Sequence, residues 1–265
     1  MRKNIFDNDK IWEWVDTNDE NRVRFEFTER LTPGDVTKVI DVGCGHGGFL
    51  KVISNIRKHV EYVAVDNSPG ALQHIPFEKA LASITSVPYN DGQFDCAYAL
   101  EVLEHLNPED FGRALRELAR LSKKYIIISV PYREDIESNM VRCPHCFTKF
   151  HYDGHLQSFD DEKIRSLFEN DGFACRQVER LGWVEKFKYH KLYVKLFFPS
   201  QRYTTPHYTV CPACDSELKP GTAQTAAKQV KTKRFSLGQA VKRPLKWVWP
   251  KEKISYWIVG LYEKK

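Results

Sequence analysis

No run of 18 apolar residues occurs in the 265-residue chain, so the sequence offers no membrane-spanning helix of ordinary length. The opening MRKNIFDNDK is charged where a secretory leader carries its apolar segment, and export is not expected. Cysteine is sparse and odd in number. Of seven, four stand as Cys143-Pro-His-Cys146 and Cys211-Pro-Ala-Cys214, a spacing that suits a metal better than a disulfide ladder and implies a reducing, cytoplasmic compartment. Acidic residues are scarce in the final third: residues 183–265 hold 17 Lys and Arg against 5 Asp and Glu, a net of +12, whereas residues 1–182 carry a net of −7. Such asymmetry points to an anionic partner, whether lipid headgroups, an acidic substrate or nucleic acid, with a merely solubilising surface as the plain alternative. No internal repeat is evident, and low complexity is confined to Thr222–Lys233. What remains, 42% hydrophobic and 28% charged, is the composition of a globular protein long enough to bury a full core without disulfides.

Between residues 36 and 182, short β-branched or aromatic runs alternate with helical patterns, which predicts a parallel sheet wrapped by helices. Strands are expected at Lys38–Val42, Tyr62–Asp66, weakly at Leu81–Thr85, at Phe94–Leu100 and at Tyr125–Val130. Helices are expected at Gly47–Lys58, and at Pro108–Leu121, where Phe111, Ala114, Leu115, Leu118 and Leu121 share one face. A helix over Asp160–Asn170, a strand over Phe173–Leu181 and a last strand over Ile254–Tyr262 complete the pattern. Residues 1–35, with Trp12, Trp14, Phe25 and Phe27, read as an N-terminal helical cover; 131–156 and 183–253 read as insertions into a domain made of 36–182 and 254–265.

The strongest local signal is Asp41-Val-Gly43-Cys-Gly45-His-Gly47-Gly48, a glycine turn between a strand and a helix. Glycines let a ligand approach the backbone, and a helix N-terminus offers N–H donors and a positive dipole end. Gly43, Gly45 and Gly48 also satisfy the dinucleotide fingerprint, with Asp66 where a ribose-binding acid belongs, so the turn by itself does not choose between nicotinamide and another adenosyl cofactor.

Asp41 before the glycines, Asp66-Asn67 after the second strand, the Val87-Pro88-Tyr89 turn, Phe94-Asp95 opening the fourth strand and Glu101-Val-Leu-Glu104-His105 after it occur in order. With the terminal strand, this series resembles the class I S-adenosylmethionine-dependent methyltransferases of small-molecule type. The resemblance implies a doubly wound, Rossmann-like α/β sheet of seven strands in the order 3-2-1-4-5-7-6. It also implies that Asp41 orients the methionine amino group, that Gly43, Gly45 and Gly47 admit that moiety, and that Asp66, with Asn67, meets the ribose. Leu100 and Glu101 would face the sulfonium. Where relatives carry an acid for the adenine amine, this chain has Ser83 with Ile84 beside it, so a backbone carbonyl is the expected substitute.

Glu101, Glu104 and His105 admit three readings. His105 can be the general base for the acceptor, since imidazole titrates near working pH. The Glu-x-x-Glu-His arrangement with His155 can hold Mg²⁺, as it resembles the divalent-metal site of methyltransferases acting on vicinal hydroxyls. Otherwise these residues cap a helix or line the cleft.

Each Cys-Pro-x-Cys pair can give two thiolates to one tetrahedral Zn²⁺. Because the expected sheet returns the 181-to-254 insertion to the edge where the first pair emerges, Cys143, Cys146, Cys211 and Cys214 are predicted to share one structural zinc despite the 64 residues between Cys146 and Cys211. Cys143, Cys146, His151 and His155 form the local alternative. No Asn-Pro-Pro-Tyr motif follows the fourth strand, which favours oxygen over nitrogen as acceptor. The expected function is thus O-methylation of a small molecule, a glycan or a lipid-linked acceptor. An RNA methyltransferase gripping phosphates with the basic arm, and a non-catalytic adenosyl-binding scaffold, are the alternatives. The stretch from Lys231 to Pro250 interleaves cations with Phe235, Trp247 and Trp249, a pattern suited to peripheral contact with an anionic membrane.

Overall fold

The computed structural model describes residues 19–73, 75–188, 205, 208–219 and 250–265. These residues fall into two compact units. One takes in the described residues up to Glu134 together with Leu156–Gly182 and Ser255–Lys265; the other takes in Asp135–His155 and the described residues of Trp183–Ile254.

The first unit is built on strands β1 (Lys38–Val42), β2 (Glu61–Asp66), β3 (Glu78–Leu81), β4 (Phe94–Leu100) and β5 (Ser122–Pro131) and on the greater part of β8 (Phe173–Phe187) and β11 (Lys251–Lys264), in the order β3-β2-β1-β4-β5-β11-β8. Strands β3 to β5 in that order run parallel, and β11 runs antiparallel to β5 with Val259 opposite Ser129. This is the expected seven-stranded, Rossmann-like order. Every residue of β4 is buried, as is Ile126–Val130 of β5, because helices cover both faces of central parallel strands.

Helix α1 (Asp19–Leu31), helix α2 (Gly48–Ile56), the short α3 (Pro69–Leu72), α4 (Pro108–Leu121) and α5 (Asp161–Ser166) complete the unit. Helix α4 starts where Asn107 accepts hydrogen bonds from the N–H groups of Glu109 and Asp110, with Pro108 in the first turn, and it buries Ala114, Leu115, Leu118 and Leu121. Helix α1 is tied down at its end. The Arg57 guanidinium donates to the carbonyls of Pro33 (2.7 Å), Thr32 (2.6 Å) and Glu29 (3.3 Å) and to Glu29 Oε1 (2.8 Å), satisfying the orphan acceptors of the C-terminus. Just past the helix, Thr32 Oγ1 lies 2.8 Å from Tyr98 Oη on β4. Phe25 and Phe27 of α1 pack on a cluster that includes Phe49, Leu50 and Tyr98, whereas Trp12 and Trp14 lie outside the described residues.

Two expectations need correction. Strand β3 ends at Leu81 instead of starting there, and Ser83–Ser86 forms a bridged turn. The pattern misled because β3 is an exposed edge strand, while Ile84 is buried from the turn. The helix expected over Asp160–Asn170 stops at Ser166, and a separate helical turn follows at Glu169–Asp171, closed by Gly172 at φ 83°.

In the second unit, β6 (Met140–Arg142) pairs with β7 (Lys149–His151) and β9 (Thr209–Val210) with β10 (Glu217–Leu218), each pair antiparallel. Val141, Cys143, Phe150, Cys211 and Leu218 form its small core.

Candidate cofactor site and cysteine cluster

The glycine turn joins β1 to α2. Gly43, Gly45 and Gly47 have φ of 80°, 55° and 80°, all in the left-handed region that side chains disfavour. The turn is cross-braced: the N–H groups of Gly43 (2.7 Å) and Cys44 (3.0 Å) donate to Val65 O, that of Gly47 to Cys44 O (3.0 Å), and that of Gly45 to Asp66 Oδ2 (2.8 Å). Asp66 also accepts from the Ser68 N–H at Oδ1 (2.9 Å), and Ser68 in turn caps α3 through Ala71 N–H. Asp66 therefore holds the turn in shape, a role the strand pattern did not foretell. Asn67 beside it is exposed.

Asp41 occupies the floor. It is 2% exposed, and its Oδ1 has no hydrogen-bond partner among the described residues. Burial chiefly, with the Asp66 charge adding to it, pushes its carboxyl up to about 7, while the Arg24 guanidinium pulls the other way. Arg24, on α1, is 5% exposed. Its position was not anticipated, because a charged residue on a mostly polar helix reads as solvated.

At the end of β4, Leu100 is buried and Glu101 adopts φ 59°, unusual for a side-chain-bearing residue. Its backbone N–H donates to Ser129 O (2.8 Å); its Oε1 accepts from Ser129 Oγ (3.0 Å) and its Oε2 from Trp257 Nε1 (2.9 Å). Arg24 Nη1 stands 3.7 Å from Oε1. Glu104 and His105 follow on a single helical turn, Leu103–His105, Glu104 fully buried and His105 half-buried. The side-chain amide of Gln157 donates to the carbonyls of Leu103 (2.9 Å) and Leu106 (3.1 Å), anchoring that turn. His155 belongs to the other unit. Ser83 is exposed, its hydroxyl 2.8 Å from that of Thr85, and Ile84 is buried.

In the second unit the four expected cysteines converge. Cys143 Sγ lies 3.6 Å from Cys214 Sγ, Cys146 Sγ lies 3.6 Å from Cys211 Sγ, and all four sulfurs fall within 4.8 Å of one another. These separations far exceed a disulfide bond. The two loops are copies of one turn. Cys143 N–H donates to Thr148 O and Phe147 N–H to Cys143 O; Cys211 N–H donates to Ser216 O and Asp215 N–H to Cys211 O. Phe147 and Asp215 are both left-handed, at φ 62° and 55°. Thr148 Oγ1 lies 3.3 Å from Cys146 Sγ, and Ser216 Oγ lies 3.2 Å from Cys214 Sγ. A short repeat is thus present after all, hidden because the copies share little beyond Cys-Pro-x-Cys and a hydroxyl two residues on. Burial raises Cys143 and lifts Cys211 to about 12, whereas hydrogen bonding at Thr148 brings exposed Cys146 down to about 6. His151 and His155 stack on each other, ring centroids 4.8 Å apart, and are not part of the cluster of sulfurs.

The strand order, the glycine turn after β1 and the acid closing β2 define the fold of the class I S-adenosylmethionine-dependent methyltransferases. The chain belongs to the methyltransferase domain family, which it matches over residues 15–178. It is 34% identical over 110 residues to a magnesium-protoporphyrin O-methyltransferase of Rhodobacter capsulatus, covering 37% of this chain and 47% of that one. Its fold is similar to a chain of the Haloferax volcanii complex between the Trm112 methyltransferase activator and a methyltransferase, with TM-score 0.58 and 14% identity over 100% of this chain and 99% of that one. It is also similar to 1,6-didemethyltoxoflavin-N1-methyltransferase of Burkholderia thailandensis, solved with S-adenosylhomocysteine, with TM-score 0.53 and 13% identity over 97% and 83% of the two chains. The chain spans about half to three fifths of the length of the curated relatives it matches.

Proposed function

We propose that the chain binds S-adenosylmethionine on the glycine turn and methylates an oxygen of a small-molecule or glycan acceptor, with a structural zinc in the cysteine cluster. Asp41 carries the reading. A buried carboxylate whose oxygen lacks a hydrogen bond costs about 1–3 kcal/mol or more, and a ligand ammonium supplies the missing donor. Asp66, at the end of β2, retains lone pairs for the ribose hydroxyls beyond its bonds to Gly45 and Ser68. When bound, S-adenosylmethionine supplies a methyl group activated by its sulfonium.

His105 is assigned the proton that leaves the acceptor hydroxyl as the methyl group arrives. Glu101 is held by hydrogen bonds from Ser129 and Trp257 to its two oxygens, which fix the orientation of its carboxylate. Oxygen as acceptor rests on the missing Asn-Pro-Pro-Tyr motif and on the named activity of the Rhodobacter relative. The zinc assignment rests on the donor set: a tetrahedral ion with Zn–S near 2.3 Å needs sulfurs about 3.8 Å apart, close to the separations found. Four thiolates leave no open position, so the ion would brace the unit and take no part in transfer. The basic stretch before Pro250 lies outside the described residues, and no helix among the described residues is long and apolar enough to cross a membrane.

Transfer of labelled methyl from S-adenosylmethionine to fractionated cell extract tests the function. Label is expected in the metabolite or glycan fraction; label confined to RNA would overturn the acceptor class. His105→Ala is expected to lower turnover by about 10²- to 10⁴-fold with cofactor affinity unchanged.

A further inference from the structure

Gln157 stands between a cation and a helical turn. Its Nε2 donates to the carbonyls of Leu103 (2.9 Å) and Leu106 (3.1 Å), and its Oε1 accepts from Lys163 Nζ (2.8 Å). Next to it, the Leu156 N–H donates to Glu104 O (2.8 Å). Two consecutive residues thus hold three carbonyls of the span Leu103–Leu106, and His105 sits inside that span. The turn has little of its own to keep its shape. The N–H groups of His105 and Leu106 reach Val102 O at 3.1 Å and Leu103 O at 3.3 Å, the poorer hydrogen-bond geometry of a single 3₁₀ turn. Bonds made from outside therefore count for more than usual.

A side-chain amide can be turned over, exchanging its oxygen for its nitrogen. Lys163 removes that freedom. Turned over, Gln157 would set its oxygen against two carbonyl oxygens and its NH₂ against an ammonium; as it stands, all three contacts run from donor to acceptor. The cation is itself well placed. Lys163 Nζ also donates to Ser158 O (3.2 Å) and lies 4.0 Å from the ring centre of Phe159 and 5.2 Å from that of Phe111. Burial pulls its amine below the ordinary lysine range, with the Asp160 charge opposing. Its backbone is fixed where Asp160 Oδ1 accepts from the Lys163 N–H (3.0 Å) to cap α5.

We propose that Lys163 and Gln157 are positioning residues for His105: the ammonium sets the direction of the amide, and the amide, gripping carbonyls on either side of His105, sets where the imidazole stands as the acceptor loses its proton. The proposal rests on the reading of His105 as the base. Neither residue is assigned a contact with cofactor or acceptor; both act through the turn. Misplacing a reacting group by about 1 Å can cost about 10²-fold in rate, so a turn free to shift is expensive.

Gln157→Glu is nearly isosteric and keeps an ion pair with Lys163, yet its carboxylate cannot donate to Leu103 O or Leu106 O. Lys163→Met leaves the amide in place but free to turn over. Rates are read on the full chain as transfer of labelled methyl from S-adenosylmethionine to the extract fraction that the wild type labels, beside calorimetric affinity for S-adenosylmethionine. Gln157→Glu should lower turnover about 10- to 100-fold and Lys163→Met about 3- to 10-fold, both with cofactor affinity unchanged, and Lys163→Arg should keep most of the wild-type rate. On a His105→Ala background the first two changes should cost less than about twofold, since the group they position is gone. Losses that multiply with that of His105→Ala, or that appear equally in cofactor affinity, would make the pair structural and overturn the proposal, as would full turnover in Gln157→Glu. If His105→Ala itself keeps full turnover, the base reading falls and takes the proposal with it; a slow His105→Ala with multiplying losses strikes the proposal alone.

Discussion

A methyl carbon placed on Gly43 would stand 2.4 Å from Val102 Cγ2 and 3.0 Å from Cγ1. The bare glycine therefore makes room for the first side chain after Glu101 at the end of β4, and so couples the two loops at the carboxyl edge of neighbouring strands β1 and β4. Gly43→Ala combines that clash with a left-handed φ and is expected to cost about 2–4 kcal/mol in urea unfolding. Val102→Ala in the same chain should recover the clash component and leave the backbone component. Strictly additive losses in the double variant would show that the two loops are not coupled.

If Asp41 meets the cofactor's ammonium as proposed, cofactor binding acquires a pH dependence. Its carboxyl is held near 7 by burial and by Asp66, and an ammonium ligand prefers it ionised. Below about pH 7 binding must expel a proton, so affinity should fall by up to about tenfold per pH unit on acidification, and it should level off above pH 7. Without ligand the sign reverses for stability. The folded protein holds this proton where the unfolded chain, titrating near 3.9, has lost it, so stability should decline from about pH 4 to pH 7 by at most about 1.4 kcal/mol per unit. Asp41→Asn should flatten both slopes; titration calorimetry and unfolding across that range read them.

Asp66 braces the glycine turn and, on the proposed reading, also meets the ribose, so removing it should show both. Asp66→Ala is expected to weaken S-adenosylmethionine by about 2–4 kcal/mol through two lost charge-assisted hydrogen bonds. It also releases the N–H groups of Gly45 and Ser68, so amide exchange at those residues should quicken even without ligand. Unchanged exchange in the variant would count against the brace.

The cysteine cluster predicts one zinc per chain. Cys211→Ser should release it and make the 135–155 segment more susceptible to protease, although the substitution lies in the other loop, because binding and local folding are linked. Cys175→Ser, outside the cluster, should retain the metal. Zinc surviving in Cys211→Ser would return the site to Cys143, Cys146 and neighbouring histidines.

Legibility in the sequence followed burial. Strands β1 and β4 and helix α4 were readable to the residue because continuous burial in the strands, and a single apolar face in the helix, leave unmixed patterns. Edge strand β3, largely exposed, left no such pattern, and Ser83 was assigned to a strand end that lies at Leu81. The place of the glycine turn between β1 and α2, and of Asp41 and Asp66 on β1 and β2, was legible because strand and turn patterns are local. Arg24 was not: its burial depends on Trp257, more than 200 residues away, and on the cap that fixes α1. The convergence of the two cysteine pairs could be argued from topology, but their identical turn geometry could not, since it resides in backbone hydrogen bonds and not in side-chain identity.

Strand β11 lies between β5 and β8, yet it follows β8 in the chain by 63 residues. During folding, β1 to β5 can assemble from segments close in sequence, whereas this last position closes only after a long loop search. Until then the row Ile126–Ile128, fully buried in the finished sheet, ends in an open ladder that any extended chain can join. Refolding yield should therefore depend on protein concentration more steeply than stability alone would suggest, with the vacant lane beside β5 as the point where one molecule captures another.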